Sequence, residues 1–405
     1  MNTKEESTSE ATARMIRPGG SSPVTGKSFL GRDADLEILV YRARKAIHTL
    51  LVGPRRMGKT SLLLELQLRY QDEFIGLFLD LEGDRSPQDV IRRLADTMRP
   101  YLAFFDRNLA LMEKYWNKIV PMASLPKLLQ FHETVNAGNW SSKGDSLFDL
   151  LAKLEKPVIL CLDEIPIFIN RLINNDQKRI AEDFMHWLRG AIQRHSHRVS
   201  VVLCGSIGFL PILERVNLSD TINIITVYRL EPWKKETAVD FLRGVARHDD
   251  LTYEDGAEDF IVDILRCCIP HHLQLLYQEL VEQCRREGRR VISREMAGQA
   301  CEKLINSGKG DSEFQHYVGR LRSAYSEIVF KAACDILTET AREEPQKWEC
   351  LKKICLKQKL SEEETRMLLK CLTTDGYLEE TETGMRFISL LFQRWWKREY
   401  VKETT

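Results

Sequence analysis

Leu50-Leu51-Val52-Gly53-Pro54-Arg55-Arg56-Met57-Gly58-Lys59-Thr60-Ser61 is the stretch on which the reading of this chain turns. Three apolar residues run into G-x-x-x-x-G-K-T, and the leucine-rich run Leu62-Leu63-Leu64 follows. That is the context the spacing requires: a strand before the loop and a helix after it. Glycines let successive backbone N–H groups curl round a phosphate chain, and the start of the following helix adds partial positive charge. Lys59 is placed to reach the β- and γ-phosphates of a nucleotide, and the Thr60 hydroxyl to ligate Mg²⁺. The candidate nucleotide contacts are Gly53, Pro54, Arg55, Arg56, Met57, Gly58, Lys59, Thr60 and Ser61. Arg55 and Arg56 read equally well as solvated charges.

A loop of this kind needs an acidic partner at the end of a second strand. Val158-Ile-Leu-Cys-Leu-Asp163-Glu164 supplies one. A buried parallel strand ending in Asp-Glu belongs where open α/β sheets bind ligands, beyond the carboxyl ends of their strands. Asp163 is expected to hold Mg²⁺ through water, and Glu164 to orient or deprotonate the attacking water. The plainer alternative is a pair of helix-start acids after a core strand. Asp80 and Glu82 end another apolar run and compete more weakly for the metal role. A third run, Val199–Gly205, leads to Ser206-Ile207-Gly208. Ser206 is expected to bond the γ-phosphate or the attacking water, the alternative being a tight turn that needs small residues. It is not in a G-x-S-x-G elbow, so nothing points to a serine nucleophile.

Further from the loop the pattern is regular. Apolar runs at Thr49–Gly53, Gly76–Leu81, Pro157–Leu162, Val199–Gly205 and Ile222–Leu230 alternate with helical patterns at Thr60–Tyr70, Pro87–Met98 and Ile180–His195. Continuous apolar strands between amphipathic helices predict a parallel sheet covered on both faces. Residues 100–145 read as a helical insertion, and residues 1–27 as a disordered polar tail. Helices alone are expected over Lys234–Asp249, Asp255–Cys267, Pro270–Glu287 and Arg294–Ile305. Gly308–Ser312 reads as a linker, followed by one long helix from Glu313 to Arg342. Helices at Trp348–Lys357 and Ser361–Asp375, a hairpin over Gly376–Phe387 and a closing helix at Ser389–Tyr400 give the order of a winged helix. The expected division is a core at 28–230, a helical lid at 231–307 and a winged-helix domain at 308–405.

Composition narrows the function classes. The 405 residues carry 59 Lys+Arg against 59 Asp+Glu, which argues against a surface made wholly for polyanions. At 43% hydrophobic and 29% charged, the chain can bury a sizeable core. No apolar run reaches the ~18–20 residues that span a bilayer, and the first residues are polar and acidic. The 10 cysteines form no CxxC pair, which suits reduced thiols in a cytoplasmic protein. Cys350, Cys355 and Cys371 fit no usual zinc spacing.

Together these residues resemble the archaeal-type P-loop ATPases, near the STAND and origin-recognition branches of the AAA+ proteins. The resemblance spans about residues 28–400. Besides the two acidic and phosphate-loop motifs, Phe29-Leu30-Gly31-Arg32-Asp-Ala-Asp35-Leu36 resembles the family's leading F-x-G-R-x-x-E-L segment, with Asp35 in the place of Glu. Gly205–Gly208 resembles the sensor strand. Ile269-Pro270-His271 resembles the lid motif, with Cys268 where the family has Gly. Asp375-Gly376-Tyr377 and Phe387–Lys397 resemble the end of the winged helix. The resemblance implies a core, lid and winged helix with nucleotide between core and lid, contacted by Phe29, Leu30, Arg32, Pro270 and His271. It implies ATP and Mg²⁺ as cofactors. Arg198 and Arg215 are candidate arginine fingers, with surface arginines as the alternative.

Two questions stay open in the sequence. Lys352, Lys353, Lys357, Lys359, Arg394, Lys397 and Arg398 suggest a phosphate-contacting face. Yet Glu362-Glu363-Glu364 open the helix that would read DNA, and acids there repel it. The expectation is a slow ATPase switch that regulates a partner protein or a homo-oligomer, with no membrane role. A DNA-associated ATPase and a nucleotide-gated scaffold in a defence or signalling complex are the alternatives. Trp395-Trp396 read as core packing rather than as a stacking platform for bases.

Overall fold

The computed structural model describes residues 22–102, 131–205, 208–306 and 308–401. Ser206, most of the expected insertion and most of the expected tail therefore lie outside the described residues. By contact density the chain forms two units. One joins Ala34–Val52 to Leu62–Leu230; the other joins residues 22–33, Gly53–Ser61 and 231–401.

The first unit is built on five strands: β1 (Thr49–Val52), β2 (Ile75–Asp80), β3 (Val158–Asp163), β4 (Val199–Cys204) and β5 (Thr226–Arg229). Each of the five apolar runs has become a strand. Their order is β2-β3-β4-β1-β5, and every neighbouring pair is parallel. β3 and β4 are buried along their whole length, which is why they read as continuous apolar runs instead of alternating ones. β5 is an edge and mostly exposed. Arg42 guards it: its guanidinium donates to the carbonyls of Thr226 and Val227 at 3.2 and 3.4 Å and lies over the Tyr228 ring. A charged side chain on an open edge blocks pairing with another strand. Because all strands run one way, their carboxyl ends share one edge of the sheet. β1 and β3 are separated there by β4 alone, about 10 Å at the usual strand spacing. The helix Ile165–Asn174, which the sequence reading lacked, follows β3 directly.

In the second unit the lid helices form as expected: Lys235–His248, Ala257–Leu265, Pro270–Glu287 and Arg294–Asn306. A two-stranded parallel pair, β6 (Thr252–Tyr253) with β7 (Val291–Ile292), joins them. The expected linker at Gly308–Ser312 is instead the start of a helix, Gly308–Ala324, and a second helix, Glu327–Arg342, takes the rest. Tertiary contact overrides the local glycine signal here. Asp311, in the first turn, accepts from Trp395 Nε1 at 2.8 Å and from Arg398. Ser326 resets the backbone to extended before the second helix. Then come Trp348–Lys357, Glu362–Thr374, the antiparallel hairpin β8 (Leu378–Thr381) and β9 (Gly384–Phe387), and Leu390–Tyr400.

One apolar core runs from Ala238 to Trp396 through all of these helices. Trp395 and Trp396 are fully buried in it, as expected, and each indole N–H has a partner, Asp311 and Thr338. His272 is a polar pin in the same core. Its Nδ1 lies 3.0 Å from Ser389 Oγ and its Nε2 3.4 Å from the Tyr317 hydroxyl. Burial pushes its pKa down to about 3. Between about pH 6.5 and pH 3 the unfolded chain therefore binds a proton that the folded chain refuses, so stability rises with pH across that window and is lost on acidification. We expect the melting temperature to fall from pH 6.5 to pH 5, by about 1.4 kcal/mol of stability per pH unit from this group. His272→Gln should flatten that slope; an equal slope in both proteins would remove His272 as its source.

Candidate functional site

The phosphate loop belongs to the second unit. Lys59 opens the helix Lys59–Arg69 and is only 8% exposed. Its Nζ donates to the carbonyls of Gly53 and Pro54, both at 2.8 Å, so the ammonium lies within its own loop. Met57 is completely buried and anchors the loop's middle. Thr60 and Ser61 fill the first turn of the helix, and Ser61 Oγ accepts from the Val24 N–H at 3.1 Å.

Arg32 has a definite structural task. It is 6% exposed, and its guanidinium donates to the Met57 carbonyl at 3.2 Å and the Glu231 carbonyl at 2.7 Å. The fork geometry of arginine suits two carbonyls at once. It ties the leading segment to the loop and to Glu231, two residues past the end of β5. Phe29 is buried, and Leu30 packs against the lid core.

The two loop arginines are not solvated charges. Arg56 has a positive φ of 66° and pairs through Nη2 with Glu313 Oε2 at 2.9 Å. The same oxygen lies 2.9 Å from His271 Nε2. Glu313 is held down to about 2, first by the His271 hydrogen bond and further by the charge of Arg56. His271 is lowered by burial in spite of Glu313. A neutral imidazole donating its Nε2–H to an ionised carboxylate satisfies both. Pro270, beside it, is the first residue of its helix, where its missing N–H costs nothing. Arg55 is half-buried, with Nε and Nη1 enclosed and without a hydrogen-bond partner among the described residues. Gly376 marks how close the loop comes to the hairpin. At φ +79° it takes a conformation other residues avoid, and a Cβ there would stand 2.3 Å from Pro54 Cβ.

The acidic pair belongs to the first unit. Asp163 ends β3, is 5% exposed, and accepts the Glu164 N–H at 3.0 Å. Asp80, its register partner on β2, is raised by burial and further by the Asp163 and Glu82 carboxylates. Asp80 also accepts the Glu82 N–H at 2.9 Å, and the Glu82 carbonyl receives Arg171 at 2.6 Å. Glu164 sits at φ 55°, ψ 25° just before the helix Ile165–Asn174 and makes no side-chain cap to it. A left-handed non-glycine residue costs about 1–3 kcal/mol and is held only by its surroundings. Part of that hold is Gly205, at the end of β4. A Cβ there would meet Pro166 at 2.5 Å and lie 3.5 Å from Glu164 Oε2. The absence of a side chain at 205 thus lets Pro166, in the first turn of the helix after Glu164, pack against the end of β4.

The candidate fingers are both occupied. Arg198 donates to the carbonyls of Ala152, Leu154 and Glu155, and Arg215 to Asn170 Oδ1 at 2.7 Å. All ten cysteines are free thiols, and among the described residues no His, Cys, Asp and Glu cluster of three could hold a metal. No helix among the described residues is long and apolar enough to cross a membrane.

Within the second unit, the loop's residues suit a phosphate chain: a buried ammonium within a glycine loop and a hydroxyl in the first helical turn. Glu313 is the residue that sequence reasoning missed. It lies 257 positions from Arg56, and no local pattern distinguishes it from the other glutamates.

No protein-family model matches the chain, and no curated sequence does. Solved structures do. The chain is similar to the Walker-type ATPase of Pyrococcus abyssi, with 18% identity and a TM-score of 0.63 over 95% of this chain and 100% of the other. It is also similar to the ORC2 protein of Aeropyrum pernix, solved in ADPNP and ADP complexes, with 12% identity and a TM-score of 0.51 over 92% and 95%. The parallel sheet, the phosphate loop and the helical C-terminal region give this chain the fold of the archaeal-type P-loop ATPases related to the origin-recognition proteins.

Proposed function

We propose that this chain binds ATP with Mg²⁺, hydrolyses it slowly, and uses the bound nucleotide to control a partner protein or its own assembly. The observation that carries the reading is the phosphate loop, with Lys59 buried inside it at the start of a helix and its ammonium held by the Gly53 and Pro54 carbonyls. In this reading Lys59, Thr60 and the loop N–H groups hold the phosphates, and Thr60 and Asp163 hold the metal. Bound Mg²⁺ would neutralise charge on the phosphates. Glu164 orients the attacking water and takes its proton. Ser206 remains a candidate for bonding that water. The chain works as a core, a lid and a winged helix, in the reducing cytoplasm that its free thiols suit.

A protein target is favoured over DNA by the charges at the helix Glu362–Thr374. Glu362 takes Lys352 at 2.7 Å and Arg366 at 2.9 Å, so part of the basic cluster is already neutralised. Glu364 and Ser361 form a reciprocal capping box, which gives the acids a structural reason to be there.

Titration of the intact protein with fluorescent ATP and ADP should show saturable, one-to-one binding, with ATP binding strengthened by Mg²⁺. Particle mass by light scattering should respond to ATP without requiring duplex DNA. Absence of saturable binding at millimolar nucleotide would dispose of the reading. A mass change that needs DNA, and weakens steeply with salt, would move the target from protein to nucleic acid.

A further inference from the structure

Arg56, Glu313 and His271 make a junction of three segments of the second unit: the phosphate loop, the helix Gly308–Ala324 and the first turn of Pro270–Glu287. Glu313 Oε2 is the shared point, 2.9 Å from Arg56 Nη2 and 2.9 Å from His271 Nε2. The two partners of that carboxylate are the groups a phosphate would also attract: a guanidinium in the loop itself and an imidazole N–H beside it.

We infer that Glu313 acts as a built-in competitor for the nucleotide's phosphates: it occupies Arg56 and His271 while the helix Gly308–Ala324 is docked on the loop, and phosphate binding displaces it. This rests on the proposed nucleotide function and adds to it the residue that couples the loop to the C-terminal helices.

Three observations support it. The pair is only about one-fifth exposed, so its attraction is poorly screened and its charge is felt at the loop. Arg56 holds a left-handed backbone, a conformation that a second arrangement of the loop can relax. Docking also has a cost against which the ion pair must work. It encloses Arg55 Nε and Nη1 without partners, close enough to Arg56 and Arg320 that both lower the Arg55 pKa, after burial itself. A contact held by one carboxylate, through the Arg56 ion pair and the His271 hydrogen bond, against neighbouring like charges is the kind a polyanion can overturn. Glu313 is thus a positioning residue.

The test uses the full-length protein and fluorescent ADP. Glu313→Gln keeps the shape and removes the competing charge, so ADP should bind more tightly by roughly tenfold or more, the value of a charged hydrogen bond. Glu282→Gln removes an exposed negative charge from the helix Pro270–Glu287 and should leave affinity unchanged. In the wild type, hydrogen exchange over Gly308–Ala324 should increase when ADP is added. That arm needs no variant and decides the matter if Glu313→Gln does not fold. ADP affinity in Glu313→Gln equal to or weaker than wild type, or unchanged exchange over Gly308–Ala324 in saturated wild type, overturns the inference while leaving nucleotide binding intact. Wild type that binds no nucleotide overturns both.

Discussion

Lys59→Ala is expected to weaken ATP and ADP binding by at least about 100-fold, the consequence of removing one member of a desolvated charge pair worth roughly 3 kcal/mol. The geometry makes this a sharp test. Lys59 Nζ is fixed by the carbonyls of Gly53 and Pro54, at the centre of the loop rather than on a free stem. A pre-placed ammonium loses little entropy when a phosphate arrives, so little of its attraction is offset. The same two bonds predict a side effect. Removing Lys59 leaves two loop carbonyls without that donor and should cost about 1 kcal/mol of stability. Melting temperature and binding must therefore be measured on the same sample. A folded Lys59→Ala protein that binds nucleotide like the wild type would end the assignment of this loop as a phosphate site. A loss of both folding and binding is resolved by Lys59→Met, whose stem fills the same space without the charge.

Much of the fold was legible because its signals are local. Five apolar runs between amphipathic helices gave five strands, four of them within about one residue at each end and β5 starting four residues later than its run, and full burial of β3 and β4 explains why those runs were unbroken. The lid helices fell where periodicity placed them. Gly308-Lys-Gly310 carries a local breaker signal, but Asp311 bonds Trp395 and Arg398 from the last helix and fixes a helix there. The break at Tyr325-Ser326 was hidden inside a continuous helical pattern for the converse reason. The helix after β3 was obscured by Asp163-Glu164, whose chemistry drew the reading, and by Pro166, which breaks helices elsewhere yet sits well in a first turn.

The candidate site divides the same way. The phosphate loop and the Asp-Glu strand end were visible because each is a contiguous string whose residue types follow from its chemistry. Arg32 was legible as a motif residue, but not its bonds to the Met57 and Glu231 carbonyls, since one partner lies 199 positions away. Arg55 and Arg56 stood in plain view inside the motif, and their fate depended on Glu313, which no motif marks. Sequence periodicity reports burial along one element. It carries no information on which distant carboxylate meets a given guanidinium.

Glu164→Gln should separate binding from turnover. The substitution keeps size and shape, and it removes only the capacity to take a proton. Binding of ATP should stay within about twofold of wild type, while hydrolysis falls by roughly 10²–10⁴, the usual share of a positioned general base. The backbone makes a purely structural explanation unattractive. Glu164 stands at the one residue between β3 and its helix, in a left-handed conformation that asparagine or glycine would adopt at lower cost. Its carboxylate caps nothing in the helix that follows. Gly205 leaves room for Pro166 in the turn that follows, where any side chain would collide. A glutamate kept at an unfavourable backbone position, with no cap to make there, fits a functional residue whose strain the surrounding fold absorbs. Glutamine answers the remaining question, because it preserves the strain, the packing and the hydrogen-bonding shape together. If Glu164→Gln hydrolyses ATP at the wild-type rate, proton transfer by Glu164 is excluded and only the proposed metal role of Asp163 is left for the acidic strand end. If it binds ATP, fails to turn over and accumulates in the ATP-bound form, the same variant becomes the reagent with which to seek the proposed partner.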